Sequence, residues 1–357
     1  MLFNKNTNIF LNLYFKSKNI AYFQCTDVYY NTYQLKYTNT RGHIKMSLNQ
    51  SAQIFSISNN ILTLEFCPKV GGGITKFNAH VNGEDVPLFR PYNPSLPLDP
   101  LNFSSFPLTP FSNRIGYGKL NFQEKTYDVG PAFGGEPHPN HGSGWQSEWA
   151  LNEHSKDRAV LNIRVHKSAN SPYDYEATQI FQLTETGLSI TVSIKNMGTE
   201  SLPFGTGHHP YFVRTPKTTI TANLPKVWLS ENMVPTLLVD VPEIWNFKDG
   251  KILDPQNLEA KHGGDGTAYI DHCFANWGGT TTITWPEYQN TKLQISADPV
   301  FKHFVIFVPS KGNFFCAEPV TNATDGFNLM AKGINDTGSI ILAPQETFQG
   351  TMHFNLL

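Results

Sequence analysis

The chain has 357 residues, enough for a large buried core. Lys and Arg number 27 and Asp and Glu 29, a formal charge of -2, which leaves neither the basic footprint of a nucleic-acid binder nor a patch for an anionic membrane. Charged residues make up only 16% and aromatics 13%, a surface suited to a neutral, polyhydroxylated ligand.

Residues 1–45 are rich in Asn, Tyr and Lys and show little periodicity, so they read as an extension outside the main fold, with Met46 as a candidate true start. A strand-forming arm is the competing reading, because Tyr29, Tyr30, Tyr33 and Tyr37 favour strands. The first twenty residues lack the uninterrupted apolar core and small-residue cleavage site of a secretory signal. No run approaches the ~18 apolar residues of a membrane span, and a cytoplasmic location is expected.

From Met46 the period is two. Leu62, Leu64 and Phe66 alternate with Thr63 and Glu65, and Leu161, Ile163 and Val165 with Asn162, Arg164 and His166. Leu188, Ile190, Val192 and Ile194 alternate with Ser189, Thr191, Ser193 and Lys195, and TKLQISA, KHFVIFVP and TFQGTMHFN repeat the pattern. Such alternation means half-buried strands with one face on a core. Helical spacing is scarce, and the 24 prolines and 27 glycines fall between strand candidates. An all-β, large antiparallel β-sandwich over 46–357, as a single domain, is predicted. Cys25, Cys67, Cys273 and Cys316 are scattered without a C-x-x-C pair and are expected to be free, buried thiols.

Titratable residues concentrate in five Gly/Pro-rich or aromatic segments: PFSNRIGYGKL, GEPHPNHGSGW, GTGHHPYF, TAYIDHCFANW and CAEPVTNATDGFN. A zinc site would draw on His138, His141, His208 and His209, but H-P-N-H lies in a loop, and adjacent His208 and His209 in a strand point to opposite faces. No metal or other cofactor is expected. Glycoside hydrolysis needs two positioned carboxylates, for which Glu318 and Asp271 are candidates, although nothing local pairs them. Isomerisation at an anomeric centre needs only a base for the C1 hydroxyl and an acid for the ring oxygen, and Glu318 and His209 suit that pair. Arg114, His141 and Asp271 would then hold ring hydroxyls.

The order N-R-I, H-G-x-G-W, H-P-Y-F, D-H-C-F, E-P-x-T resembles the aldose 1-epimerase (galactose mutarotase) family over roughly residues 50–355. LPKVWLSENMVPT and the ending ILAPQETFQGTMHF are similar as well. The resemblance implies a large antiparallel β-sandwich that interconverts the α and β anomers of a free hexose. It implies Glu318 as the catalytic base and His209 as the acid, with Arg114 and its neighbour Asn113, His141 and Asp271 binding the sugar. Trp145, beside the His141 loop, is a candidate for stacking on a sugar face, whereas Trp277 reads as core. The chain departs from the galactose-specific branch, which has Thr-Asn-His where this sequence has Gly207-His208-His209, and resembles a broader bacterial branch. Hexose 6-phosphate 1-epimerase is an alternative that requires extra cations, with Arg214 a candidate contact. A non-catalytic carbohydrate-binding protein is another. The expected partner is a small monosaccharide, with no nucleic acid or membrane, and the expected state is a monomer or weak homodimer.

Overall fold

The computed structural model describes residues 53–130, 136–254, 258 and 268–357, together with the backbone of four strands between Phe10 and Leu48. The chain divides into two compact units, Met1–Gln53 and Ile54–Leu357. In the first, Phe10–Ser17, Ile20–Thr26, Thr32–Thr40 and His43–Leu48 pair in chain order as an antiparallel meander. Met46 lies inside the last of these strands, opposite Tyr37.

The second unit is a β-sandwich. One sheet has nine strands, and its centre is the C-terminal strand Thr347–Leu356, paired with Gly187–Asn196 on one side and Thr291–Ala297 on the other. Along Gly187–Asn196 the predicted alternation is realised: Leu188, Ile190, Val192 and Ile194 are buried and the residues between them only partly so.

The other large sheet carries the site. Its strands are β1 (Pro107–Leu108), β2 (Gly207–His208), β3 (Tyr211–Val213), β4 (Lys226–Glu231), β5 (Val234–Asp240), β6 (Ala268–Ala275), β7 (His303–Pro309) and β8 (Phe314–Val320). They run antiparallel in the order β5-β4-β6-β7-β8-β2-β1, and β3 also pairs with β8. Each of the central strands sorts its residues onto two faces. Ile270, Phe274, Ile306, Phe315 and Ala317 join the main core with Ile190, Val192, Ile295 and Phe354 of the opposite sheet. The intervening Cys273, Val305 and Cys316 belong to a second apolar cluster with Phe106, Trp145 and Tyr211. The site lies on that second face.

A four-stranded sheet spans 55–87, and a single α-helical turn and a half, Gly326–Ala331, is present among the described residues. None of the helices described is long and apolar enough to cross a membrane. Cys67, Cys273 and Cys316 are free and buried, as expected; the side chain of Cys25 lies outside the described residues.

Candidate active site

Strand β8 presents Glu318 outward because its neighbours Ala317 and Pro319 take the other direction of the pleat, and the carboxyl ends almost fully buried in the wall of a cleft. His209 follows β2, with its backbone N–H fixed on the Phe106 carbonyl at 2.9 Å. Its Nε2 stands 3.4 Å from Glu318 Oε1. The imidazole is sandwiched by Phe106, stacked at 4.6 Å, and Tyr211 at 4.8 Å, which fixes the ring plane and strips it of water. His208 points the other way, as alternation requires, and bonds Ser105 and Gln179 within the core.

Arg114 and His141 arrive on two loops held together by a short antiparallel bridge, Arg114 to Asn140. Asn113 (φ 61°) and His141 (φ 62°) both sit in the left-handed region, and each is secured by the other: His141 N–H donates to the Asn113 carbonyl at 3.0 Å, and Asn113 N–H donates to His141 Nδ1 at 3.1 Å. The second bond leaves Nδ1 bare and places the proton of the neutral ring on Nε2. Behind Arg114, the segment after Glu318 acts as a clamp. Asn322 takes the Ser112 N–H and returns its amide to the Ser112 carbonyl, while Asp325 binds the N–H of Gly116 and gives its own N–H to the Arg114 carbonyl. The Arg114 guanidinium lies between Glu136 at 3.5 Å and Asp271 of β6 at 3.8 Å.

These residues line a cleft of about 460 Å³, open to solvent, with Asn140, Tyr211, Val305 and Phe307 completing the wall. The mixed polarity of this lining suits a small polar ligand. Glu318, His209, Arg114, Asn113, His141 and Asp271 are therefore brought together although they come from five separate stretches of chain. Trp145 is not among them. It is buried behind Phe106, stacked at 5.2 Å, and its indole N–H is taken by the Asn140 and Gly142 carbonyls, so it supports the His141 loop instead of facing a sugar. Trp277 packs on Phe304 in the core. Arg214 donates to the Gly312 carbonyl and does not line the cleft. His138 spends both ring nitrogens on backbone partners, Tyr117 N–H and the Asn232 carbonyl, which removes it from any zinc set. Tyr211, Phe106 and Asn140 are the site residues that motif reading passed over. Tyr211 was within reach, since it lies two residues beyond His209 in an extended segment and so shares its face.

Burial pushes the Glu318 carboxyl well above the usual carboxylate range, with Asp271 adding to the effect and Arg114 opposing it. Burial also pulls His209 down to about 3, and repulsion from Arg90 and Arg114 works in the same direction. His141 is likewise held well below its ordinary value by burial and by the nearby His209 and Arg114. The opposed shifts of Glu318 and His209 favour acid–imidazole over the carboxylate–imidazolium form of equal net charge. Among the described residues Glu318 Oε2 and His209 Nδ1 have no hydrogen-bond partner. His209, Cys316 and Glu318 also set an N, an S and an O donor within 4.8 Å of one another, a group of donors able to hold a thiophilic cation.

Comparison with known proteins identifies the family and the fold. The family model for aldose 1-epimerase matches residues 53–355. The Escherichia coli K12 protein YphB, itself uncharacterised, is 31% identical over 308 residues, which cover 84% of this chain and 97% of YphB. The crystal structure of a candidate aldose 1-epimerase from Escherichia coli K12 superposes with a TM-score of 0.74 at 29% identity, covering 85% of this chain and 99% of that one. An aldose epimerase homologue from Caenorhabditis elegans shares the fold, with a TM-score of 0.70 at 15% identity over 86% of this chain and 99% of its own. The chain belongs to the aldose 1-epimerase family.

Proposed function

We propose that this protein interconverts the α and β anomers of a free hexose, with Glu318 as base and His209 as acid. The observation that carries the reading is the Glu318–His209 pair, 3.4 Å apart in the wall of a polar cleft. In the proposed cycle the Glu318 carboxylate takes the proton of the C1 hydroxyl. The C1–O5 bond breaks as the C1 carbonyl forms, and the His209 imidazolium protonates O5. Rotation about C1–C2 exposes the other face of the aldehyde, O5 closes on it, and both protons return. The reacting form is carboxylate–imidazolium, reached by a proton shift within the pair from the acid–imidazole form that burial favours, and ring opening returns the pair to acid–imidazole. Ring opening therefore changes no net charge in a buried site, where a new charge would be costly.

Arg114 and His141 Nε2–H would donate to ring hydroxyls, and Asp271 and the Asn113 side chain would accept, holding C1 and O5 against the pair. A hexose 6-phosphate fits less well. Among the described lining residues the one full cation is Arg114, and it already lies between two carboxylates. A cytoplasmic enzyme acting on a monosaccharide is consistent with this reading. Polarimetry on freshly dissolved α-glucose and α-galactose tests it: the protein is expected to speed equilibration well beyond buffer. Sugar binding by calorimetry without any rate enhancement across several aldoses would make it a carbohydrate-binding protein, and release of reducing sugar from glycosides would make it a hydrolase.

A further inference from the structure

Cys316 lies two residues before Glu318 on β8, so the two side chains share the face on which the cleft is built. Across the sheet Cys316 is paired with Tyr211, the ring that stacks on the His209 imidazole. One ligand atom from each of His209, Cys316 and Glu318 falls within 4.8 Å of the other two. Acid–base catalysis uses the nitrogen and the oxygen and gives the sulfur no task.

Imidazole, carboxylate and thiolate are the side-chain donors that zinc takes, and three protein ligands leave its fourth position for water or a hydroxyl. Bonds of about 2.0–2.3 Å set tetrahedral donors about 3.3–3.8 Å apart, so the trio has to draw in by about 1 Å at most. The 3.4 Å from His209 Nε2 to Glu318 Oε1 already matches. An ion there lies among its donors at bonding distance and needs no cavity behind them. It reaches them from the cleft, whose wall His209 and Glu318 line. Glu318 is 1% exposed and its Oε2 has no hydrogen-bond partner among the described residues, so a buried donor atom stands ready.

Charge favours a divalent ion. Burial keeps the Cys316 thiol and the Glu318 carboxyl protonated and the His209 ring neutral, the form in which imidazole ligates. A divalent ion that takes the places of the thiol proton and the carboxyl proton, both released to water, leaves the net charge of the wall as it was. No new charge is buried, and the nearby Arg114 and Arg90, the latter 4.1 Å over the Tyr211 ring, do not bar its entry.

We propose that His209, Cys316 and Glu318 form a site for a divalent thiophilic cation, zinc above all, which switches the anomerase off by holding its base and its acid. The switching rests on the anomerase activity proposed above; the binding does not. Cobalt(II) is the probe, because a thiolate bound to it gives a charge-transfer band in the near ultraviolet. The full chain, first dialysed against a chelator, is expected to develop that band on titration with cobalt chloride and to lose it to zinc. Cys316→Ser should abolish the band and weaken zinc binding by about tenfold or more, whereas Cys273→Ser, which alters the other thiol on that face, should keep both. Glu318→Gln serves if Cys316→Ser misfolds, with a similar loss of affinity expected. Zinc at saturation should lower the mutarotation rate by about tenfold or more, and excess chelator should restore it. Absence of the band, or a band that Cys316→Ser leaves intact, overturns the site, and a rate indifferent to bound zinc overturns the switch. A Cys316-dependent band in a protein that speeds no anomerisation, with or without metal, would sink the anomerase reading and leave the cation site standing.

Discussion

Replacing Glu318 by Gln separates chemistry from architecture. The side chains match in size, the backbone of β8 is untouched, and an amide oxygen can still face His209, so the cleft should persist. What is lost is the base. General acid–base catalysis contributes about 10²- to 10⁴-fold, so the mutarotation rate should fall by that factor, equivalent to roughly 3–5.5 kcal/mol of barrier. Combining it with His209→Asn should cost little more than either change alone, because base and acid work as one unit. Stability should move the other way. The folded pKa of Glu318 is raised above its ordinary 4.5, so below that value the group is protonated in both states and is neutral in the balance. Above it the native state must hold a proton that the unfolded chain releases, and stability is lost as pH rises towards the folded pKa. Gln titrates nowhere, so urea unfolding should show Glu318→Gln gaining on wild type between pH 4.5 and pH 8. Polarimetry with the uncatalysed rate subtracted gives the kinetic half of the experiment. A variant that keeps more than a tenth of the wild-type rate, or a stability difference indifferent to pH, refutes the assignment of Glu318.

An NMR titration of the imidazole carbons should show His209 without an inflection near 6.5, the ordinary histidine value, because burial depresses it to about 3, and an inflection at 6.5 would overturn that reading. Acid should destabilise the fold through its buried imidazoles. His208 lies at about 3 and His303 at about 4, both below 6.5 through burial, so the stability they contribute is present above 6.5 and drains away as pH falls towards those values. Denaturation midpoints are expected to drop between pH 7 and pH 4, and less so in His208→Gln. Asn322 is 1% exposed and serves both backbone groups of Ser112, so Asn322→Ala should cost about 2–3 kcal/mol in urea unfolding and raise KM by loosening the loop of Arg114. An unchanged KM in that variant would detach the clamp from substrate binding.

By itself the sequence determined the period and hence the class of fold. Leu188, Ile190, Val192 and Ile194 can bury together only on one face of a strand, and a chain written that way throughout has to close as stacked sheets. Alternation also separated His208 from His209, since neighbouring strand residues diverge whatever the tertiary setting. The motifs named the polar residues of the cleft because Gly- and Pro-rich, chemically loaded loops stand out locally. Pairing information was absent, because nothing in a linear string says that Glu318 and His209, from strands brought together only by the sheet, come within 3.4 Å. Burial was absent as well, and burial is what sets both pKa values in opposite directions and moves Trp145 from the cleft to the support behind Phe106. The pinning of the 226–240 hairpin by His138, some ninety residues earlier in the chain, is likewise a contact that no local pattern announces. Local propensity writes the strands; contacts between distant segments, which depend on the whole packing, decide which of their side chains meet.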